Sequence, residues 1–295
     1  METGGIHVKL GWIAAAALAA ILWTGGTTLA GAGLPGPAAT PAPLCPTDPA
    51  MPAATPGAVL PVRGGPAYGT MQYPKGAPLD AKQIALTFDD GPDPKTTRRV
   101  LDILDRHCVK ATFFMVGIYA QRHPEIVREV AARGHIIGTH SWSHPNNLRR
   151  LSPSAARRQI RRGFEAVETA LATAPEDSRA RLAPFFRFPG LNDSKALIDW
   201  LGQRNIATIS CEFGADDWKR IGAAQIRSRA LRNAGYAGRG ILILHDTKPH
   251  TADMLSAFIT TMRKRGYSFV QLVPHPPVTL NAAAKPSLEP ASALR

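Results

Sequence analysis

Two neighbouring aspartates, Asp89 and Asp90, follow a short apolar run and directly precede a Gly-Pro turn. Further along the chain, His140 and His144 follow a second apolar run at i, i+4 spacing. Burying a carboxylate away from water costs free energy unless the group is paired, hydrogen-bonded or bound to a metal. Imidazole and carboxylate together suit zinc and its first-row neighbours. These four residues therefore supply the ligands and the spare base of a metal-dependent hydrolase, although spacing alone does not say which aspartate is the ligand.

The elements that must position these residues alternate between short apolar runs and amphipathic stretches. Amphipathic helices are predicted at 96–107, 124–133 and 154–172. This alternation of strands and helices favours a parallel α/β sheet, either open or closed into a barrel. The predicted strands are 83–88, 111–116, 136–139, 185–188, 207–211, 241–244 and 267–272.

Chemically active side chains recur at the carboxyl ends of these predicted strands. In a parallel barrel those ends meet on one face, which is where active sites are built. The clustering therefore indicates an enzyme. Beyond the four residues above, the side chains at strand ends are Arg187 on the fourth strand, Asp216 and Asp217 after the fifth, and His245 and Asp246 after the sixth.

Five short motifs in this part of the chain resemble those of the polysaccharide deacetylases that share the NodB homology domain (carbohydrate esterase family four). They are TFDDGP at 87–92, HSWSH at 140–144, RFP at 187–189, DW at 217–218 and ILH at 243–245. The resemblance covers roughly residues 82–272. It implies a distorted (β/α) barrel with seven to eight parallel strands.

The resemblance also implies roles for the site residues. It assigns Asp90, His140 and His144 to a divalent metal and Asp89 to the catalytic base. We expect zinc, because two histidines and one carboxylate suit it, with cobalt or nickel as possible substitutes. The remaining assignments are His245 as the acid, Asp217 as the residue that orients His245, Arg187 as the partner of Asp89, and the Gly190 N–H as a donor to the oxyanion.

One position departs from the family pattern. Family members commonly carry an aromatic residue after the proline of the third motif, whereas here Pro189 is followed by Gly190 and Leu191. The backbone N–H is retained, but the wall of the substrate cleft changes. The departure therefore leaves the substrate class open more than the chemistry.

The chain carries 35 Lys+Arg against 22 Asp+Glu, a formal net charge of +13. Such a balance favours contact with anionic surfaces. Six arginines lie on a predicted helix and the turn before it. They could hold the enzyme to the anionic cell envelope, although a solvated outer helix face explains the same pattern. This basic face consists of Arg149, Arg150, Arg157, Arg158, Arg161 and Arg162.

Composition divides the chain into four parts. Residues 1–32 contain an apolar stretch at 10–23 that indicates a signal peptide or an N-terminal anchor. Residues 33–75 are rich in Pro and Ala and predict a linker, 76–275 hold the catalytic domain, and 276–295 predict a disordered tail. We therefore expect an exported protein, periplasmic or extracellular, that is either released or held at the membrane.

The function expected from these observations is removal of N-acetyl groups from a GlcNAc-type polysaccharide such as peptidoglycan, a chitin-like glycan or an exopolysaccharide. The alternatives are an O-acetyl esterase or a non-sugar amidase on the same scaffold, or a catalytically silent glycan-binding module. A nucleic-acid partner is not expected, because the chain has export features and lacks an aromatic-plus-basic binding motif. The sequence leaves the oligomeric state open.

Overall fold

The computed structural model describes residues 58–276, so the predicted signal or anchor segment and most of the predicted tail lie outside the described residues. None of the helices within 58–276 is long and apolar enough to cross a bilayer. The strands are β1 Val59–Arg63, β2 Ala67–Tyr68, β3 Gln83–Asp89, β4 Thr112–Met115, β5 Ile136–Thr139, β6 Leu182–Phe186, β7 Ala207–Ile209, β8 Phe213–Gly214, β9 Gly240–His245 and β10 Ser268–His275. The helices are α1 Thr96–Arg106, α2 Gly117–Arg122, α3 Pro124–Ala132, α4 Pro153–Leu171, α5 Glu176–Arg179, α6 Lys195–Gly202, α7 Ala223–Ala237 and α8 Pro249–Lys264.

Every strand pairing among these ten strands is parallel, which confirms the predicted parallel α/β fold. All seven predicted strands form, and the short strands β1, β2 and β8 bring the number above the seven to eight expected. Strand β3 pairs with β9 along one edge. Along its other edge it pairs first with β10 and then, nearer its carboxyl end, with β4. This change of partner distorts the barrel at its central strand.

Alternation along β3 sends successive side chains to opposite faces of the sheet. Ile84, Leu86 and Phe88 belong to the core that the sheet forms with surrounding helices. Ala85 belongs to the core on the other face, inside the curved sheet. Asp89 lies four residues after Ala85 and therefore on the same face of β3. Its carboxylate thus lies inside the barrel, at the carboxyl end of the strand.

Helix α4 shows how local sequence fixes an element beside the site. The Ser152 side chain accepts a hydrogen bond from the Ala155 N–H (3.3 Å), and Pro153 occupies the first helical position. Both features are typical of helix starts. The predicted apolar stripe is buried, as expected for a helix that packs on a sheet. Its members are Ile160, Phe164, Val167 and Leu171.

The predicted linker is wrong for residues 58–75. Strand β1 lies parallel to β10 with Val59 opposite Gln271, and β2 lies beside β7. Leu60 and Val62 are buried while their neighbours in β1 are exposed. Prolines and glycines around these short strands hide the alternation, and a proline without an N–H is tolerated on an edge strand. The extra pairing also carries β10 beyond its predicted end, to His275.

Candidate active site

The register of the sheet places the two predicted proton-transfer residues side by side. Asp89 is the last residue of β3 and His245 is the last residue of β9, and the two are directly opposite one another. His140 follows β5 directly, and Arg187 follows β6. A cavity of about 600 Å³ opens at these strand ends. The predicted site residues that line it are Asp89, Asp90, His140, His144, Gly190, Asp217 and His245.

Asp90, His140 and His144 form a cluster that suits a cation. One ligand atom from each lies within 4.8 Å of the others. The Asp90 Oδ1 atom is 3.3 Å from His144 Nε2 and 3.8 Å from His140 Nε2. This Oδ1 atom is buried and has no hydrogen-bond partner among the described residues. A buried carboxylate oxygen between two imidazoles fits a divalent metal held by three protein ligands, with positions left open towards the cavity.

The environment of His140 prepares it to be a ligand. Its Nδ1 lies 2.8 Å from the backbone carbonyl of Arg187, so Nδ1 carries the proton and donates it to that oxygen. This leaves the lone pair on Nε2, which lies 3.7 Å from Asp89 Oδ2 and 3.8 Å from Asp90 Oδ1. Burial lowers the pKa of His140 to about 3, so the ring is neutral near neutral pH. A neutral, oriented imidazole is the form that binds metals.

The loop that carries His144 is held by close contacts. His144 and Ser141 both adopt positive φ, an uncommon conformation for residues with side chains that often marks functional sites. The His144 N–H donates to the Ser141 Oγ (3.1 Å). Gly163 of α4 packs directly against the loop, since a Cβ there would lie 2.9 Å from the Ser141 carbonyl carbon. A side chain at position 163 would therefore displace the histidine loop.

Asp89 is fixed by a buried ion pair with Arg187. The Arg187 Nη1 donates to Asp89 Oδ1 at 2.7 Å, and both side chains are almost wholly inaccessible to water. The same Nη1 also donates to Thr87 Oγ1 (2.8 Å), while Nε donates to the Ile209 carbonyl (3.0 Å) and Nη2 to the Ser210 carbonyl (2.8 Å). Burial raises the pKa of Asp89, and Arg187 opposes that rise by stabilising the carboxylate. The ion pair therefore orients Asp89 and favours its carboxylate form.

His245 is held by a second carboxylate. Its Nδ1 lies 2.8 Å from Asp217 Oδ1, and its backbone N–H donates to Asp217 Oδ2 at 2.7 Å. The Thr251 hydroxyl also donates to Asp217 Oδ2 (2.6 Å). Burial lowers the pKa of His245, but the bond to Asp217 and its charge outweigh burial and raise that pKa to about 9. The imidazole is therefore protonated at neutral pH and can act as an acid.

Gly190 sits in a tight turn at the edge of the cavity. It adopts a φ of 59°, and Leu191 follows with a φ of 55°. Leu191 lines the cavity together with Met71, a residue from the chain segment after β2. The Gln72 Nε2 donates to the Leu191 carbonyl at 2.5 Å, which fixes this wall. An aliphatic wall therefore borders the cleft next to the position where family members commonly carry an aromatic ring.

Asp246 directly follows β9, and the sequence motifs assign it no role. The Thr97 hydroxyl donates to its Oδ2 (2.5 Å), and the Thr97 Oγ1 accepts from the Asp93 N–H (2.8 Å). A Cβ on Gly91 would lie 2.3 Å from Asp246 Oδ2, so the carboxyl group packs against the turn that follows Asp90. Burial and the nearby Asp90 raise the pKa of Asp246 to about 7. No sequence signal connected Asp246 with Thr97, because the two are far apart in the chain and share no motif.

A parallel α/β barrel with an open three-ligand site, a buried carboxylate and a carboxylate-paired histidine defines a metal-dependent hydrolase. The family model for polysaccharide deacetylases matches residues 76–206 of this chain. A peptidoglycan N-acetylglucosamine deacetylase of Bacillus cereus is 32% identical over 204 residues, which cover 68% of this chain and 70% of that protein. The chain therefore belongs to the polysaccharide deacetylase family.

Two further proteins support this assignment. A peptidoglycan N-acetylglucosamine deacetylase of Listeria monocytogenes is 34% identical over 191 residues, which are 65% of this chain and 38% of that protein. The solved structure of a peptidoglycan deacetylase from Bdellovibrio bacteriovorus matches with a TM-score of 0.65 and 31% identity over 75% of this chain and 60% of that one. This chain thus spans less than two thirds of both proteins.

Proposed function

We propose that the protein is a hydrolase that removes N-acetyl groups from a GlcNAc-type polysaccharide and that its cofactor is zinc. The observation that carries the proposal is the arrangement at one cavity. A buried base (Asp89) and a protonated histidine (His245) lie opposite one another on adjacent strands, beside the cluster of Asp90, His140 and His144. Named relatives that act on peptidoglycan support this substrate class.

The residues divide the chemistry of amide hydrolysis between them. When bound, a divalent metal acidifies water and polarises an acyl oxygen. Asp90, His140 and His144 would hold it, and the cavity leaves room for substrate. Asp89 accepts the proton of the attacking water, because Arg187 keeps its carboxylate ionised and oriented. The backbone N–H of Gly190, at the rim of the cavity, donates to the oxyanion that develops.

His245 completes the reaction by protonating the departing amine. An amine leaves poorly as an anion, so the proton must arrive as the carbon–nitrogen bond breaks. Asp217 serves this step in two ways, since it orients the ring and raises the pKa of His245 to about 9. Acetate and a glucosamine unit are the expected products.

The pairing of Asp217 with His245 predicts a shift in the pH profile. Asp217→Asn removes the charge that stabilises the imidazolium, so the pKa of His245 falls and the acid loses its proton at a lower pH. The alkaline limb of kcat/KM against pH should move towards acid by about one unit or more. Asp216→Asn is the matched control, because Asp216 pairs with Lys219 and Arg229 instead of His245. An unchanged alkaline limb in Asp217→Asn would contradict the assignment of His245 as the acid.

O-acetyl ester hydrolysis is the second candidate, and the aliphatic wall formed by Leu191 and Met71 is the observation that keeps it open. The two are distinguished by measuring acetate release from N-acetylglucosamine oligomers, peptidoglycan and an O-acetylated glycan, using the full chain loaded with zinc. Release from the N-acetylated glycans supports the proposal. Release only from the O-acetylated glycan would replace N-acetyl with O-acetyl groups as the substrate. Glycan binding without any release would indicate a silent binding module.

We also propose that the protein is exported and contacts the anionic envelope through the basic face defined above. Two arginines of this basic face lie over aromatic rings. The Arg162 Cζ is 3.9 Å from the centroid of the Trp142 ring, and the Arg157 Cζ is 5.7 Å from that of Trp200. Arg158 is exposed and Arg161 half-buried on the same helix. Replacing Arg158 and Arg161 by Gln should weaken retention on an anionic glycan, and unchanged retention would contradict the proposed contact. Cell fractionation tests the location.

A further inference from the structure

A second cavity, of about 750 Å³, adjoins the catalytic cavity. Met71, Gly214 and Asn233 line both, so the two cavities are adjacent. Helix α7 contributes Tyr236 to the second cavity. This cavity has no part in the chemistry described above. Cavities of several hundred cubic ångströms are typical of sites that bind small molecules.

Exposed apolar side chains concentrate along these two cavities. Within residues 58–276, the exposed large hydrophobic residues are Val59, Met71, Tyr119, Trp218 and Tyr236. Trp218 lines the catalytic cavity, Met71 lines both, and Tyr236 lines the second. Tyr236 is 85% exposed, so its ring contributes little to the folded core. Exposed apolar groups gathered along one groove indicate a binding surface.

The floor of the second cavity is built by Glu212. Its Oε2 accepts from the Ile241 N–H at 2.6 Å, and its Oε1 accepts from the Thr70 N–H at 3.2 Å. Gly240 lies against it, since a Cβ there would be 2.5 Å from the Glu212 Cβ. These contacts join the start of β9 to the segment after β2. Glu212 therefore holds together two of the segments that line the second cavity.

We propose that the second cavity binds sugars of the same glycan chain, two or more units away from the one being deacetylated, and that Tyr236 stacks on a pyranose ring. A polymer held in the catalytic cavity must extend beyond it, and the adjacent cavity on the other side of the exposed Met71 side chain is one place for it. A pyranose presents a face of C–H groups with hydroxyls at its rim. An aromatic ring suits that face, and the polar groups of Glu212 and Arg239 in the same cavity suit the rim. This inference rests on the proposed function.

The test compares Tyr236→Ala with wild-type full chain loaded with zinc, using N-acetylglucosamine pentamer and dimer as substrates. For the pentamer, kcat/KM should fall about fivefold, mostly through KM, because one stacking contact is lost. The loss should be smaller for the dimer, which does not fill both cavities. Tyr236→Phe should restore the wild-type KM, since it keeps the ring. Tyr119, which is also exposed and lies on α2, provides the matched control. Tyr119→Ala should leave kcat/KM unchanged for both substrates.

The outcomes separate this inference from the proposed function. If the wild type deacetylates the pentamer and Tyr236→Ala matches it in KM, the groove assignment is overturned while the proposed function stands. Equal losses for dimer and pentamer would also overturn it, because Tyr236 would then act on the catalytic cavity itself. If the wild type releases acetate from no glycan, both fall together.

Discussion

Asp89→Asn is expected to lower kcat about a thousandfold while the enzyme still binds one zinc ion. The amide has the size of the carboxylate but cannot accept the proton of the attacking water. The ligands Asp90, His140 and His144 are unchanged, and the Asn oxygen can still accept from Arg187. The loss should therefore appear in turnover and not in metal content.

Acetate release from N-acetylglucosamine pentamer and zinc content per chain measure the two halves of this expectation. Asp93→Asn is a suitable control, because Asp93 lies outside the catalytic cavity and its Oδ1 accepts from the Lys95 and Thr96 N–H groups at the start of α1, which an Asn oxygen can also do. Asp90→Asn should instead lose zinc. Wild-type turnover in Asp89→Asn would show that another group is the base. Loss of zinc from Asp89→Asn with retention in Asp90→Asn would exchange the roles of the two aspartates.

Arg187→Met is expected to lower the free energy of unfolding by about 3–5 kcal/mol. The guanidinium is fully buried and is the ion-pair partner of an equally buried carboxylate. Its removal leaves Asp89 desolvated and without its ion-pair partner, so the variant bears the cost of an unpaired buried charge or of protonating that carboxylate, and either cost exceeds that of a missing surface ion pair. Denaturant titration at neutral pH measures the loss. Adding Asp89→Asn to Arg187→Met should recover part of it, because no uncompensated charge then remains.

Arg263→Met provides the matched control for a buried arginine. Arg263 is nearly inaccessible to water and donates to the His107 carbonyl at 2.7 Å, and no ion pair links it to a carboxylate within residues 58–276. Its replacement should cost clearly less than that of Arg187. The expectation would be contradicted if both arginine variants lost a similar free energy of unfolding and the double variant recovered none of it. Lost packing, and not the unpaired Asp89, would then be the main cause of the instability.

The sequence predicted those parts of the molecule that depend on local pattern. Seven strands and three helices were found within a few residues of their true bounds, because apolar periodicity and capping residues act over short distances. Asp89 and His245 could be placed at strand ends for the same reason. Their pairing across β3 and β9 follows from the parallel register, which strand order alone does not give.

Features that depend on contacts between distant segments could not be predicted. Strand β1 contains Pro61 and β2 directly follows Pro66, so neither reads as a strand until it pairs with β10 or β7. The contact of Thr97 with Asp246 and the wall formed by Met71 and Leu191 likewise join segments with no shared motif. The exposure of Tyr236 is also invisible in the sequence, because its helical position does not reveal that a cavity lies beneath it.

The most direct test of the account is a zinc titration of the chelated full chain, with acetate release from N-acetylglucosamine pentamer measured at each step. We expect no acetate release before zinc is added, and then a linear rise that levels at one zinc per chain. His140→Ala and His144→Ala should show no such rise at the same zinc concentrations. Full activity in chain verified to be free of metal, or restored activity in both histidine variants, would contradict the assignment of Asp90, His140 and His144 as the metal site.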